Sequence, residues 1–291
     1  MIEFADWNMR PELSELWQKC FHEPQKYPDY FLGNIFSPRD CLVCRVGGKI
    51  AAAVYLIPAY ILVNGNMVQA HYIFAAATEP SFRCRGYMSS LLAYASVAGA
   101  ERGDRFSALL PSGESLYHFY EKLGYSSPFF VRRAKVPPER LQAIALRGGG
   151  YECMPGAECL NRLRRKCLFQ YSGSFLWDDR MFRLSISLSR IYGDQLICVQ
   201  HNGTPAYALC RKENNICTAL ETMADNNTFP ALAAALLKKV PARQYRFRLP
   251  VMSPLFCGEG ITERFGMLKL LGRVGICGVK MNAPYLGLGM D

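Results

Sequence analysis

The chain has 291 residues, half of them hydrophobic and 20% charged, a globular composition with room for one large domain or two of ordinary size. No apolar run reaches the roughly 18 residues of a membrane helix, and the opening MIEFADWNMRPEL has acids where a secretion signal has an apolar core, so a cytoplasmic protein is expected. The formal net charge of +10 is uneven: residues 1–146 hold 15 Lys+Arg against 13 Asp+Glu, and the remainder 19 against 11.

In chain order, Leu13, Leu16, Trp17, Cys20 and Phe21 recur at helical spacing after Pro11, which predicts a helix over 9–22, and a second short helix is expected over 29–36. Three strand-like runs follow. CLVCRV turns at Gly47-Gly48 into KIAAAVYLIP, and Asn64-Gly65 turns into NMVQAHYIFAAAT. A basic glycine turn comes next, then a helix with Met88, Leu91, Leu92 and Ala95 on one face and a stop near Gly103. The strand FSALLP, a short helix over 114–122 and the strand PFFVRRAKV complete a unit ending near Val136. Pro137-Pro138 and Gly148-Gly149-Gly150 bracket a connector.

The second half repeats the plan. QLICVQ turns at Asn202-Gly203 into TPAYALCR, and Asn214-Asn215 turns into ICTALETM. A helix, PALAAALLKK, and a strand, RQYRFRLP, follow; Glu263-Arg264-Phe265-Gly266-Met267 then stands where the first half has Glu121-Lys122-Leu123-Gly124-Tyr125. A tandem duplication of one fold is expected: 1–136 as the first domain, 137–150 as connector and 151–291 as the second. The second copy has ADNNTF, with neither glycine nor arginine, in place of the glycine turn, and Thr262 where the first has Tyr120.

Twelve scattered cysteines form no metal-ligand pattern, Cys41 and Cys44 fall on opposite faces of a strand, and His22, His71, His118 and His201 are unpaired in spacing, so no metal is expected. The cluster Arg162, Arg164, Arg165 and Lys166 has little aromatic interleaving and reads as a solvated helix face rather than a nucleic-acid surface.

The chemistry concentrates in 78–125. A strand runs into Arg83-Cys84-Arg85-Gly86-Tyr87-Met88, and a helix starts there. Free N–H groups, a positive helix pole and a glycine that lets an anion approach make such a turn a phosphate site. YEKLGY, residues 120–125, closes the stretch. In these residues the chain resembles the GNAT superfamily of acyl-CoA-dependent N-acetyltransferases: Arg83, Gly86, Tyr120, Gly124 and Tyr125 fit its fingerprint, and Met88 departs where the family has Gly or Ala. The tandem plan, with a degenerate second copy, resembles the enhanced-intracellular-survival (Eis) branch, whose usual third, sterol-carrier-like domain has no room in this length.

The resemblance implies an α+β (mixed α/β) fold of two tandem GNAT-like units, each a mostly antiparallel twisted sheet flanked by helices. It implies acetyl-CoA as co-substrate, its pantetheine arm along Phe74, Ala75, Ala76, Ala77 and Thr78 and its pyrophosphate held from Arg83 through Cys84, Arg85, Gly86, Tyr87 and Met88 to Ser89. Tyr120 matches the family's general acid. The base is open among Glu79, His71 and His118, with Asp291 a further candidate if the apolar tail NAPYLGLGMD folds back toward the site on Tyr285, Leu286 and Leu288. The expected function is transfer of an acetyl group from acetyl-CoA to a primary amine of a small molecule or peptide by direct attack. An acyl-CoA-binding pseudoenzyme is the alternative, and a nucleic-acid-binding protein a weaker one. Oligomeric state is left open.

Overall fold

A computed structural model describes residues 1–272 and 281–290. The elements in order are β1 (Ile2–Phe4), α1 (Arg10–Phe21), α2 (Lys26–Asn34), β2 (Cys41–Val46), β3 (Lys49–Val63), β4 (Asn66–Thr78), α3 (Tyr87–Glu101), β5 (Phe106–Leu109) and α4 (Glu114–Glu121). Then come β6 (Phe130–Val136), α5 (Pro138–Ala145), β7 (Tyr151–Glu152), α6 (Ala157–Leu168), β8 (Phe175–Leu176) and α7 (Asp179–Ile191). The last are β9 (Gln195–His201), β10 (Thr204–Glu213), β11 (Ile216–Met223), α8 (Phe229–Lys239), β12 (Gln244–Pro250), β13 (Ile261–Arg264) and β14 (Met267–Leu270). The fold is mixed α/β. Its described residues divide into two units, 1–61, 67–127 and 266–272 in one, and 62–66, 128–265 and 281–290 in the other.

In the first unit the strands neighbour one another in the order β1-β2-β3-β4-β5-β14, with β4 and β5 parallel. The core packs Leu42, Val54, Leu56 and Ile73 of the sheet against Leu91, Leu92 and Ala95 of α3, and against Tyr117, Tyr120 and Tyr125. Each fully buried leucine there contributes about 1.5–3 kcal/mol over an exposed one. Helix α1 buries Leu13, Leu16 and Trp17 and ends at His22, whose left-handed φ of 55° lets its N–H bond to the carbonyl of Gln18. Helix α2 starts at Lys26, three residues ahead of expectation. Pro28 lies within its first turn, where a missing N–H costs nothing.

In the second unit the order is β13-β6-β12-β11-β10-β9-β7, with β11 and β12 parallel. Both units therefore contain a parallel strand pair, β4 with β5 and β11 with β12, each beside antiparallel pairs. Three expectations change. Strand β6, expected to close the first unit, pairs with β12 and β13 in the second, while β14 pairs with β5 in the first, so the boundary at 136 does not hold. The connector contains α5, whose Leu141 is wholly buried in the second core. The basic cluster is not a uniformly solvated face. Arg164 is fully buried in an ion pair with Glu221 at 3.0 Å, and Arg165 pairs with Asp179.

Candidate active site

Strand β4 pairs with β5 only through Ala70↔Phe106, His71↔Ser107 and Tyr72↔Ala108. Beyond Tyr72, β4 continues for six residues without β5. Ala75 there has a φ of +44°, a left-handed residue inside a strand, which kinks the chain as a bulge does. The ring of Phe74 packs on Trp17 and Phe31 at 5.8 and 5.1 Å, and Ala76 lies against the α3 core. What this stretch, through Ala77 and Thr78, can offer a ligand is its backbone and the space beside small side chains. The sequence places Trp17 on a helix face and Phe74 along the arm; no spacing rule links Trp17 to a strand residue so far along the chain.

The turn after β4 has two left-handed residues, Cys84 (φ 60°) and Gly86 (φ 79°), and Gly86 is the N-cap of α3. No side chain caps this helix. The N–H groups at its start, on Tyr87, Met88 and Ser89, meet a turn in which Arg83, Cys84, Arg85 and Gly86 are exposed. Arg83 is anchored by donating from Nε to the carbonyl of Thr78 at 3.1 Å, and the Arg85 guanidinium lies 5.7 Å from the ring of Phe82. Met88 packs against the core, leaving the turn unobstructed. The arrangement suits an anion: an uncapped helix pole, two cations and a glycine whose added Cβ would meet open space.

Tyr120 projects from α4 into the core, 8% exposed, with its ring edge-on to Phe119 and Tyr125. Burial alone pushes its pKa up to about 12, so the hydroxyl keeps its proton at neutral pH. Tyr125 is fixed behind it by a 2.7 Å hydrogen bond with Ser107, a contact the sequence did not reveal. Tyr117, one turn earlier, is different: its hydroxyl accepts from the N–H of Gly266 at 3.2 Å, tying the approach to β14.

The candidate bases are dispersed. His71 is wholly buried, bonded through Nδ1 to Asp104 at 2.8 Å, and Gly99 leaves the room for its ring, since a Cβ there would strike Cε1. Burial holds its pKa below the usual histidine value. Asp104 also accepts from Nε of Arg102 at 2.6 Å, and Arg102 reaches on to Asp40. His71 is thus a structural group of a buried network, and a base must reach the attacking amine. His118 stands on the solvent side of α4, 3.0 Å from Glu121. Glu79, directly after β4, accepts from Ser81 at 3.1 Å and faces Lys19 at 3.8 Å. Among the described base candidates it alone adjoins the end of β4. Asp291 lies outside the described residues. The tail before it is built in: Tyr285, Leu286 and Leu288 are buried, and Arg164, Arg248 and Trp177 donate to the carbonyls of Leu286, Gly287 and Leu288.

The corresponding turn of the second unit is closed. Between β11 and α8, the carboxylate of Asp225 accepts from the N–H groups of Asn227 and Thr228 at 3.0 and 2.8 Å. Past Ala219↔Phe247, where β11 and β12 part, Arg248 donates to the carbonyl of Leu220 at 2.5 Å.

Residues 8–127 match the family model of the acetyltransferase (GNAT) domain. No curated protein sequence matches the chain. Among solved structures, a GCN5-related N-acetyltransferase from Anabaena variabilis aligns over 94% of this chain and 73% of its own, at 13% identity and a TM-score of 0.76. One from Kribbella flavida covers 93% and 70%, at 14% identity and 0.74. Eis1 from Mycobacterium abscessus covers 93% and 73%, at 13% identity and 0.69. Residues 8–127 are thus similar to a GNAT acetyltransferase domain, and 93% of the chain aligns with the fold of Eis1. Among the described residues no helix is long and apolar enough to cross a membrane.

Proposed function

We propose that the first unit transfers an acetyl group from acetyl-CoA to a primary amine. The observation that carries this reading is the parting of β4 from β5 beyond Tyr72, with the uncapped N-terminus of α3 at one end and the protonated Tyr120 on the neighbouring helix. The pyrophosphate binds the N–H groups of residues 84–89 with Arg83 and Arg85 beside it. The arm lies along 74–78, whose freed N–H groups stabilise the developing oxyanion. A neutral amine attacks the thioester carbonyl, the C–S bond breaks, and Tyr120 gives its proton to the leaving thiolate. Glu79, as a carboxylate at the end of β4, draws in the ammonium form of the acceptor or takes its proton. Small-molecule and peptide amines are both accommodated by this chemistry.

The test is turnover. Acetyl-CoA is supplied with a panel of primary amines and free thiol release is followed. Amine-dependent release above the hydrolysis background supports the reading. Tight binding of coenzyme A with no amine-dependent release across the panel would instead make the protein an acyl-CoA-binding pseudoenzyme.

A further inference from the structure

The second unit holds a thiol pair at its sheet edge. Strand β7 pairs antiparallel with β9 through Tyr151↔Gln200 and Glu152↔Val199, and the next residue along, Cys153, donates its N–H to the carbonyl of Cys198 at 3.2 Å. The two cysteines are therefore directly opposed on adjacent strands and share a face. Directly opposed antiparallel residues have Cα atoms about 5.5 Å apart when hydrogen-bonded, and Cβ atoms about 4.5–5.5 Å apart. A disulfide takes Cα separations of roughly 4.4–6.8 Å and Cβ separations of roughly 3.5–4.5 Å. The backbone is in range, and the side chains need only a small closure. β7 can supply it, being an edge strand of two residues.

Access distinguishes this pair from the other close one. Cys210 and Cys217 influence each other's ionisation but are sealed in the second core. Cys153 and Cys198 line a cavity of about 500 Å³ with Met154, Arg190, Asp194 and Lys239, and Cys153 is half-buried rather than enclosed. Cys159, exposed at the start of α6, lies near enough to act on both.

We propose that Cys153 and Cys198 form a reversible modification site that accepts oxidising equivalents from a low-molecular-weight disulfide and closes to an intramolecular one. The thiolate of Cys153 attacks one sulfur of the external disulfide, whose S–S bond breaks and expels the first small thiolate. Cys198, deprotonated in turn, attacks the Cys153 sulfur, forms the protein disulfide and expels the second. Two protein thiols are oxidised, one disulfide is reduced to two small thiols, and the protons of both cysteines end on those thiols. A hydrogen-bonded pair drawn together in this way is strained and so belongs with labile rather than structural disulfides. Burial pushes the Cys198 thiol up to about 12 and raises that of Cys153, so closure accelerates with alkaline pH.

The experiment incubates the folded, reduced protein with oxidised glutathione, then alkylates, digests and maps the peptides, with the intact mass taken in parallel. The expected result is loss of two hydrogens per chain without a retained adduct, a peptide joining Cys153 to Cys198, and reversal by dithiothreitol. Cys153→Ser and Cys198→Ser each remove the joined peptide. A retained glutathione adduct on the wild-type pair, joining of Cys153 to Cys159 or of Cys210 to Cys217, or no thiol loss at all overturns the assignment. Mapping the wild-type chain needs neither variant to fold.

Discussion

The carboxylate of Asp225 accepts two hydrogen bonds from Thr228, one from its N–H at 2.8 Å and one from its hydroxyl at 2.9 Å. With the N–H of Asn227 also bound, the start of α8 carries its own anion. Burial would raise the Asp225 carboxyl, but the bonds from Thr228 and Asn227 outweigh it and its pKa is lowered. The start of α3 has no such side-chain cap. The two units thus share a strand plan and differ in the turn that leads into the helix.

Coenzyme A should accordingly bind once per chain, with calorimetry giving a stoichiometry near one; two sites would refute the closed-turn reading of the second unit. Binding to the native state alone adds about 2.7 kcal/mol of stability at a hundredfold excess over Kd. Arg85→Glu combined with Gly86→Pro should abolish the thermal shift. Glu reverses a charge, and proline's φ near −65° is incompatible with the 79° of Gly86.

Tyr120→Phe should lower kcat by roughly 10²–10⁴, the usual loss for a general acid, while leaving coenzyme A affinity nearly unchanged. Tyr117→Phe should leave kcat close to wild type and lower stability by about 1 kcal/mol, because it deletes the acceptor of the Gly266 N–H. Equal kinetic losses in both variants would return Tyr120 to the role of a core aromatic.

Much of this was legible in the sequence, and the residues show why. Hairpins at Asn64-Gly65, Asn202-Gly203 and Asn214-Asn215 are written in local turn chemistry, and all occur with left-handed residues where expected. The start of α3 after Gly86 and the short helix α4 that carries Tyr120 were legible because each is written in a local pattern. The base was not, because it depends on which side chain the fold leaves beside the gap. His71 looked suitable by residue type, and only the packing of Gly99 and Asp104 shows it enclosed. The destination of β6 was equally hidden: its alternation fits any sheet, and pairing with β12 is a tertiary choice. Arg164 looked like one of four surface cations until Glu221, 57 residues away, was seen to meet it.

The His71–Asp104 pair sets an acid limit on stability. His71 is held neutral, with a folded pKa below the ordinary value of about 6.5, so the unfolded chain takes up a proton first as pH falls. Its contribution is complete above that value and is lost as pH falls toward the folded pKa. Asp104 is also lowered: burial opposes ionisation, but His71 and Arg102 overcome it, so its contribution is lost only further down, below about 3.9. The melting temperature should therefore drop between pH 7 and 5, and His71→Gln should flatten that slope whatever its effect at pH 7. An unchanged slope would place the acid sensitivity elsewhere.

The tail gives the last prediction. Gly287 stands at φ 63° with no space for a Cβ, which would strike the ring of Tyr285 and meet Glu221, so the segment is fitted rather than draped. Removing 287–291 takes away the carbonyls bound by Arg248 and Trp177, both buried, and the side chain of Leu288. Each such hydrogen bond lost costs about 0.5–1.5 kcal/mol, and the buried Leu288 side chain adds about 1.5–3 kcal/mol. At roughly 2–4 °C per kcal/mol for domains of this size, the melting temperature should fall by several degrees, contrary to a tail that serves only the chemistry. Activity loss in that truncation would then be uninformative about Asp291. Asp291→Asn, which leaves Tyr285, Leu286 and Leu288 in place, separates the effects. If the side-chain carboxylate of Asp291 orients the amine, transfer falls while the melting temperature and coenzyme A affinity hold. Full activity in Asp291→Asn would leave Glu79 as the carboxylate to test next.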